Sequence, residues 1–356
     1  MKQSGLEPVN VLMSSVGNVG FPAVLQALKS NSERNVRVIG CDVRSDAPGL
    51  YLADRGYLVR SRQSPGDLMR RLIEICDQED ISVFYPLSTE DQEFFAGRVQ
   101  EFERVGVSVV VASPESLRTA NDKSRLYEFA AARGIPTPCY AIVRNWKELV
   151  EGAHRLGYPD APFVLKMNRG TGAQGLKIIY PSVDPQQRLL DRENRVVAFH
   201  ELGNWLKAIE AWPPVHLTEY LPGAEYSVDI LCDRGRVLST VTRLRLSTLY
   251  GLALHAQTVD EKDVEAMACD IVGKLGLSFV VNVQARRDRN GAAKLMEINP
   301  RIPGTIGLTV AAGVNMPYLA IKLALKEPFV VPKPRIGMTI FRYWGATYLH
   351  SSQVLQ

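Results

Sequence analysis

The sequence has few cysteines, and none of them forms a recognisable metal-binding or disulfide pattern. Only five occur in 356 residues, scattered along the chain and without a C-x-x-C pair. This scatter argues against a disulfide framework or a zinc knuckle and favours a reducing cytoplasm. No apolar run is long enough to span a membrane, and Glu7 and Pro8 interrupt the segment where a signal peptide needs its apolar core. We therefore expect a cytoplasmic protein without a membrane partner.

Charge of one sign is not in large excess either. Lysine and arginine total 42 against 38 acidic residues, a formal net charge of +4. Without a concentrated basic patch, and none is evident along the chain, this excess is too small to predict nucleic-acid binding. Internal repeats and low-complexity segments are also absent. The length and the hydrophobic content of 46% instead predict a substantial core divided among two or three domains.

Strands and helices alternate through the first 113 residues. Short apolar runs predict strands at 9–13, 36–41, 81–86 and 107–112, with helical segments between them. Such alternation is typical of an α/β domain with an open parallel sheet, whose functional loops lie at the carboxyl ends of the strands. We predict an N-terminal domain of this kind over residues 1–113.

The turn after the first predicted strand has two interpretations. Gly17 and Gly20 precede a helix, and Asp42 ends the next strand, as in a dinucleotide-binding motif. However, Ser15 occupies the position of the first glycine. A turn that packs a strand tightly against a helix is the preferred interpretation, and a nicotinamide-dependent oxidoreductase is the alternative.

Residues 88–91, Ser-Thr-Glu-Asp, follow the third predicted strand. Side chains at this end of the sheet are placed to contact a small substrate, and Glu90 and Asp91 are candidates to receive an amine. Serine and threonine before a helix also cap its free N–H groups, which is the preferred interpretation of this segment.

A glycine-rich loop between two strands is the first stretch with specific chemistry. A helix predicted over 117–133 contains Asp122-Lys123, and a later strand carries Lys166 into the loop with Gly170, Gly172 and Gly175. Because another strand follows the loop, it is the tip of a hairpin rather than a P-loop. Glycines let backbone N–H groups approach phosphate oxygens. A phosphate-binding flap and a merely flexible hairpin tip remain equal alternatives.

A second hairpin, at 279–304, carries the strongest candidate for a metal site. Period-2 alternation places Glu297 and Asn299 on one face of its second strand, and Gln284 lies on a face of the first. If the strands pair with these faces together, they present three oxygen donors of low charge, with Arg301 on the loop that follows Pro300. Such a cluster suits Mg²⁺ shared with substrate phosphates. A half-exposed hairpin with a polar face is the alternative.

Two arginines could bind an acidic substrate. Arg243 and Arg245 alternate on one predicted strand and therefore share a face, where they could pair with a carboxylate. A solvated strand face is the preferred interpretation.

Polar residues at 184–194 predict a surface excursion.

In their order along the chain, these features resemble the ATP-grasp superfamily. An open α/β domain, Asp122-Lys123, the glycine hairpin, Glu219-x-x-x-Gly-x-Glu225 and the closing Gln284…Glu297-Ile-Asn299-Pro-Arg301 follow one another over most of the chain. Within the superfamily the chain is most similar to one synthetase module of the carbamoyl-phosphate synthase large subunit. The resemblance implies that an ATP-grasp fold of two α+β subdomains follows the N-terminal domain, with the lid subdomain at 114–190 and the metal-site subdomain at 191–356.

The resemblance also implies roles for individual residues and for two cofactors, ATP and Mg²⁺. One or two Mg²⁺ ions, with Mn²⁺ as an alternative, would be held by Gln284, Glu297 and Asn299. The implied nucleotide-binding residues are Lys123, Lys166, Gly170, Gly172, Gly175, Glu219, Tyr220, Leu221 and Glu225. Arg301 would stabilise the transferred phosphoryl group, and His255 would contact phosphate, although a plain loop histidine is an equal alternative for it.

The implied activity is that of an ATP-dependent carboxylate–amine ligase. Such an enzyme activates a small carboxylate as an acyl phosphate, which an amine or a similar nucleophile then attacks. The sequence shows one module where the synthase has two and contains no glutaminase, so we do not expect carbamoyl-phosphate synthesis. The partners would be small molecules, with a homodimer as the expected assembly. A non-catalytic ATP-binding subunit is a further alternative.

Overall fold

The structure is a computed structural model, which describes residues 5–167, 175–207, 209 and 212–348. These residues form three β-sheets, one after another along the chain. A parallel sheet forms the N-terminal domain, and two further sheets follow it. Among the described residues, no helix is both long and apolar enough to cross a membrane.

The N-terminal domain is the predicted open parallel sheet. Its strands are β1 (Val9–Ser14), β2 (Val36–Asp42), β3 (Arg55–Leu58), β4 (Val83–Pro86) and β5 (Ser108–Val109), in the order β3-β2-β1-β4-β5. Its helices are α1 (Phe21–Lys29), α2 (Gly49–Leu52), α3 (Pro65–Gln78), α4 (Thr89–Ala96) and α5 (Val99–Glu103). The sequence pattern did not predict β3, because this four-residue edge strand has a single buried side chain, that of Tyr57.

The helix predicted over 117–133 is two helices, α6 (Pro114–Ala120) and α7 (Lys123–Ala131). The break lies at Asp122, whose side chain accepts hydrogen bonds from the N–H groups of Ser124 and Arg125. This capping begins a new helix. It places Lys123 at the first position of α7, at the edge of the third sheet.

The middle sheet combines five strands in the order β6-β10-β7-β8-β9. They are β6 (Tyr140–Val143), β7 (Phe163–Met167), β8 (Lys177–Tyr180), β9 (Val196–Ala198) and β10 (Val215–Glu219), and the helices are α8 (Trp146–Arg155), α9 (Pro185–Leu190) and α10 (Phe199–Lys207). Antiparallel pairing of β7 with β8 confirms the predicted hairpin. Because the sheet continues to Glu219, we propose that the lid subdomain ends there rather than at residue 190.

The C-terminal sheet has six strands in the order β15-β14-β11-β12-β13-β16, all antiparallel. They are β11 (Glu225–Asp233), β12 (Arg236–Leu249), β13 (Leu252–Thr258), β14 (Phe279–Arg287), β15 (Ala293–Asn299) and β16 (Thr339–Phe341), with helices α11 (Lys262–Leu275), α12 (Ile306–Ala311) and α13 (Met316–Ala324). The strands β10 and β11 lie in different sheets, so residues 220–224 connect the two.

The hydrophobic cores show which sheets are joined rigidly. One buried cluster runs from Phe84 of the N-terminal sheet through Tyr127 of α7 to Ile271 of α11. A second joins the other face of the N-terminal sheet to α12 and α13. The middle sheet has a core of its own, around Leu165 and Leu217. It therefore packs as a separate layer that covers part of the C-terminal sheet.

Candidate functional site

A pocket lies between the middle and C-terminal sheets, and both sheets supply its walls. Middle-sheet residues at the pocket include Val164, Lys166, Leu176, Ile178, Arg195 and Thr218. The connection contributes Glu219, Tyr220 and Leu221, and the remaining polar walls come from Lys123, Glu225, Arg243, Arg245, Asn282, Gln284, Arg286, Glu297, Asn299, Arg301 and Thr305. Most of the site residues predicted from the sequence are therefore brought together in one cavity.

One end of the pocket is apolar. Val164, Ile178 and Met296 line it beside the connection between the sheets. The Glu219 carboxylate accepts a hydrogen bond from the N–H of Cys139 at 3.0 Å, and its own N–H donates to the Cys139 carbonyl. The connection is thus anchored to the start of β6. Apolar side chains of this kind can pack against a planar heterocycle.

The predicted metal face is formed by direct pairing of β14 with β15. Gln284 lies opposite Glu297, and Asn282 lies opposite Asn299, so the polar side chains share one face. The side-chain amide of Asn299 donates to Glu297 Oε1 at 3.2 Å. Within the described part of the chain, no three histidine, cysteine or acidic side chains are grouped to hold a metal. A metal here would be held by one carboxylate and two amides.

Two lysines hold the Glu297 carboxylate in its ionised form. Burial by itself would raise the pKa of Glu297, but the positive charges of Lys123 and Lys166 lower it below its usual value. Burial lowers the pKa of Lys166 to about 8, although Glu297 opposes this effect. The donor set therefore fits Mg²⁺, which binds ionised carboxylate and amide oxygens and takes its other ligands from phosphate and water.

Arg301 links this face to the N-terminal domain. Its Nε donates to the hydroxyl of Thr89 at 3.2 Å, and one of its terminal nitrogens lies 3.4 Å from Asn299 Oδ1. Burial lowers the pKa of Arg301, and the charges of Glu297 and Glu90 oppose that shift. The guanidinium remains cationic beside the metal face.

The preferred interpretation of Arg243 and Arg245, a solvated strand face, was wrong. Only 1% of Arg243 is exposed, and its guanidinium lies 2.5 Å from the buried carboxylate of Asp229. Arg245 pairs with Glu225 and donates to Gln284 Oε1 at 3.0 Å. Both arginines line the pocket because β11 and β13 flank β12 and the middle sheet covers it.

The structure does not bring every predicted residue into the pocket. His255 stacks on Phe341, with ring centroids 4.5 Å apart, and does not line the cavity. The pairing of β12 with β13 shifts register near Ser247, and beyond the shift the buried positions of β13 become Ala256 and Thr258. This irregularity turns His255 to the outer face, so we no longer assign it a catalytic role.

The glycine loop is only partly described. Gly170 and Gly172 lie outside the described residues. Gly175 is exposed and has a φ of +71°, a left-handed conformation that favours glycine. Its assignment to nucleotide binding stays a prediction.

Sequence reasoning missed Arg195 as a pocket residue. It lies at the end of a polar stretch that was interpreted as a surface excursion, and nothing in the local pattern distinguishes it from its neighbour Arg192. Arg286 was not among the predicted site residues either, yet it lines the pocket and lies near Glu225, with a nitrogen–oxygen distance of 3.8 Å.

The carboxylates of the N-terminal sheet are occupied by protein donors. Asp42 accepts hydrogen bonds from the N–H groups of Gly17, at 2.8 Å, and Arg44, at 3.0 Å. Asp91 is buried and accepts from the hydroxyls of Ser14 and Ser15. Asp42 therefore stabilises the turn, which supports the packing interpretation over dinucleotide binding. Ser88 caps α4, as preferred from the sequence.

Comparison with known proteins supports the same conclusion about the fold. Residues 211–343 match a family model described as ATP-grasp in the biosynthetic pathway with Ter operon, and residues 11–110 match the PylC-like N-terminal domain. The carbamoyl phosphate synthase large chain of Thermomicrobium roseum is 25% identical over 236 residues, which cover 62% of this chain and 20% of that protein. The chain thus spans about a fifth of the length of this curated relative.

Solved structures resemble nearly the whole chain. The biotin carboxylase domain of Hydrogenobacter thermophilus 2-oxoglutarate carboxylase, crystallised with MgADP and bicarbonate, matches with a TM-score of 0.66 and 18% identity, covering 93% of this chain and 73% of that one. The ADP complex of N5-carboxyaminoimidazole ribonucleotide synthetase matches with a TM-score of 0.65 and 15% identity, covering 94% of this chain and 80% of that one. At these identities the likeness establishes the fold alone.

The two sheets and the pocket between them define an ATP-grasp fold preceded by an open α/β domain. Residues 211–343 match an ATP-grasp family model, the chain has the fold of ATP-grasp proteins, and it is similar to part of the carbamoyl-phosphate synthase large chain.

Proposed function

We propose that the protein is an ATP-dependent ligase that activates a small carboxylate as an acyl phosphate for attack by an amine. The observation that carries this proposal is the convergence of Lys166, Glu297 and Arg301 on one pocket. A lysine, a carboxylate suited to Mg²⁺ and an arginine thus lie around the same cavity. This arrangement suits phosphoryl transfer, which depends mainly on positioning and on neutralising charge.

The pocket suggests where each part of the nucleotide binds. The adenine would occupy the apolar end, beside Tyr220 and Leu221, and Glu225 would accept hydrogen bonds from the ribose hydroxyls. Lys123 and Lys166 would contact the phosphates. In support, Lys166 is buried and lies beside Glu297, so its charge is directed into the pocket rather than into solvent.

Gln284, Glu297 and Asn299 would hold Mg²⁺, as one or two ions, or Mn²⁺ in its place. When bound, the metal would neutralise phosphate charge and orient the γ-phosphate. The chain's own contribution is to keep Glu297 ionised through the two lysines and to fix Asn299 between Glu297 and Arg301. That hydrogen-bonded connection holds Arg301 at a constant distance from the metal face.

The chemistry would proceed in two balanced steps. A carboxylate oxygen of the acid attacks the γ-phosphorus, the bond to the β-phosphate oxygen breaks, and ADP leaves. The amine then attacks the carbonyl carbon of the acyl phosphate, phosphate leaves, and the amine loses a proton. Arg301 would stabilise negative charge on the transferred group in both steps. The middle sheet, which covers the pocket, would limit access of water to the acyl phosphate.

The test is ADP release in the presence of acid and amine panels. Glu297→Gln and Lys166→Met should each reduce acid-stimulated ADP release by about 100-fold or more. Glu151→Gln and Lys147→Met change the same residue types at exposed positions of α8 and serve as matched controls. ATP turnover that does not depend on any acid, or that both pocket variants retain, would contradict the proposal.

The same assay separates the alternatives. A non-catalytic ATP-binding subunit would bind ADP in calorimetry and release none from ATP with any acid. Against the oxidoreductase alternative, both carboxylate oxygens of Asp42, the expected cofactor-binding acid, accept hydrogen bonds from backbone N–H groups. A homodimer remains a proposal, and sedimentation of the purified chain would test it.

A further inference from the structure

The polar stretch at 184–195 has no role in the function proposed above, yet it folds into a defined loop. After α9, the side chain of Asp191 accepts hydrogen bonds from the N–H groups of Glu193, at 3.3 Å, and Val196, at 2.6 Å. The carbonyl of Arg195 accepts a hydrogen bond from the N–H of Ile178, which lines the pocket. The loop is thus tied both to itself and to β8.

Glu193 connects this loop to the C-terminal sheet. Its Oε1 accepts a hydrogen bond from the N–H of Tyr250 at 2.7 Å, and its other oxygen forms an ion pair with Arg195. Tyr250 and Gly251 both have positive φ, +49° and +78°, and form the two-residue turn between β12 and β13. The N–H of the first residue in such a turn takes no part in the strand ladder, so it is available to Glu193.

Arg195 reaches the pocket from this position. Its side chain is 24% exposed and lines the cavity together with Arg245 and Thr248. Arg243 and Arg245 line the same pocket, where they pair with Asp229 and Glu225. Guanidinium groups of the same sign repel each other more strongly in a partly desolvated pocket than in water. An anion bound between Arg195 and Arg245 would relieve that repulsion.

We infer that Arg195 is a further binding residue of this site, contacting an oxyanion of the bound ligand, and that Glu193 is its positioning residue. The oxyanion is a phosphate oxygen of the nucleotide or a carboxylate oxygen of the acid. This inference rests on the proposed function. Because Glu193 bonds to the turn at Tyr250, the position of Arg195 depends on the contact between its loop and the C-terminal sheet.

The first experiment compares Arg195→Met with Arg192→Met, an exposed arginine of the same loop. MgADP and adenosine are titrated calorimetrically into each variant. If the oxyanion is a phosphate, Arg195→Met weakens MgADP about tenfold and leaves adenosine unchanged, while Arg192→Met has no effect and Arg195→Lys recovers part of the loss. If it is a carboxylate, MgADP affinity is unchanged and the KM for the acid rises about tenfold instead.

The second experiment tests the positioning residue. Glu193→Ala removes both the Tyr250 contact and the ion pair. It should weaken MgADP binding, or raise the KM for the acid, by about as much as Arg195→Met does. The variant that carries both changes should bind the ligand no more weakly than either single variant, because the two residues act together. The melting temperature without ligand should be the same in all variants.

The inference is overturned if Arg195→Met and Arg192→Met bind MgADP equally and no acid shows a raised KM. It is also overturned if the affinity losses of Glu193→Ala and Arg195→Met add in the double variant. Failure of the proposed function has a different signature: no acid stimulates ADP release in the unaltered protein. The MgADP comparison then decides the role of Arg195 alone, and equal binding by the two variants counts against it.

Discussion

Gln284 of β14 and Glu297 of β15 lie directly opposite each other, and Arg245 donates a hydrogen bond to Gln284 Oε1 at 3.0 Å. One carboxylate and one neutral amide thus face each other at the centre of the pocket. A second carboxylate at 284 would add like charge to a buried position. The amide supplies an oxygen ligand without that repulsion.

Replacing Gln284 with methionine should weaken the metal site while keeping its volume. We expect Gln284→Met to raise the Mg²⁺ concentration needed for half-maximal ADP binding by about tenfold or more, because one oxygen donor is lost. Titration of Mg²⁺ against ADP binding measures this. Gln63→Met, at an exposed position, is the control. An unchanged Mg²⁺ requirement in Gln284→Met would show that this amide is not a ligand.

Nucleotide binding should depend on pH through Lys166. The pKa of this lysine is lowered to about 8, first by burial. The side chain is therefore cationic below pH 8 and loses its attraction for phosphate above it. In EDTA, without divalent metal, ADP affinity should fall as pH rises from 7.5 to 9.5, by up to about tenfold per unit. Lys166→Met should bind weakly at pH 7.5 and show a flatter profile. The same slope in both proteins would assign the titration to another group.

Acid should destabilise the protein through His216. The ring is 0% exposed, packs against Tyr127 and Tyr140, and has no hydrogen-bond partner for either nitrogen within the described residues. Burial, together with Lys166 and Lys123, lowers its pKa to about 3. Because the folded-state pKa lies below the unfolded value, the unfolded chain takes up the proton first, and stability falls as pH drops from about 6.5 towards 3.

His216→Phe should remove this sensitivity. Between pH 7 and pH 5 we expect the free energy of unfolding of the unaltered protein to fall by about 2 kcal/mol through His216. The variant should not show this fall. Urea unfolding at both pH values measures the difference, with His200→Gln as an exposed control. Equal acid sensitivity in His216→Phe and the unaltered protein would mean that other groups carry the effect.

Gly20 lies where the N-terminal domain packs closely against the loop at 300–304, which carries Arg301. A Cβ at this position would lie 3.0 Å from the Cα of Gly304, which follows Arg301 by three residues. Gly20→Ala should therefore lower the free energy of unfolding by about 1–3 kcal/mol through overpacking. It should also reduce activity, because the added methyl group displaces the loop. Gly66→Ala adds a Cβ with nothing within 4 Å and should change neither unfolding in urea nor activity. Matching behaviour of the two variants would contradict the close contact.

Local periodicity was sufficient for the N-terminal alternation and for the face that β14 and β15 share. Alternating side chains on 279–285 and 294–299, with turn residues between them, predict which residues share a face, and the observed register agrees. The N-terminal alternation likewise predicts a parallel sheet. The prediction of one helix over 117–133 failed, because the side chain of Asp122 caps a new helix and so interrupts a continuous helical pattern. For His255, local periodicity could not choose between the two alternatives, because a register shift lies next to it.

The order of the elements, the hairpin that carries Gln284 and Glu297, and the resemblance to the ATP-grasp superfamily could all be predicted from the residues in order along the chain. What covers each face depends on the tertiary fold. Arg243 is buried because Asp229 lies beside it on the neighbouring strand, and Arg195 enters the pocket because its loop meets the turn at Tyr250. A strand's period dictates which side chains point together, but burial and charge pairing depend on residues distant in sequence.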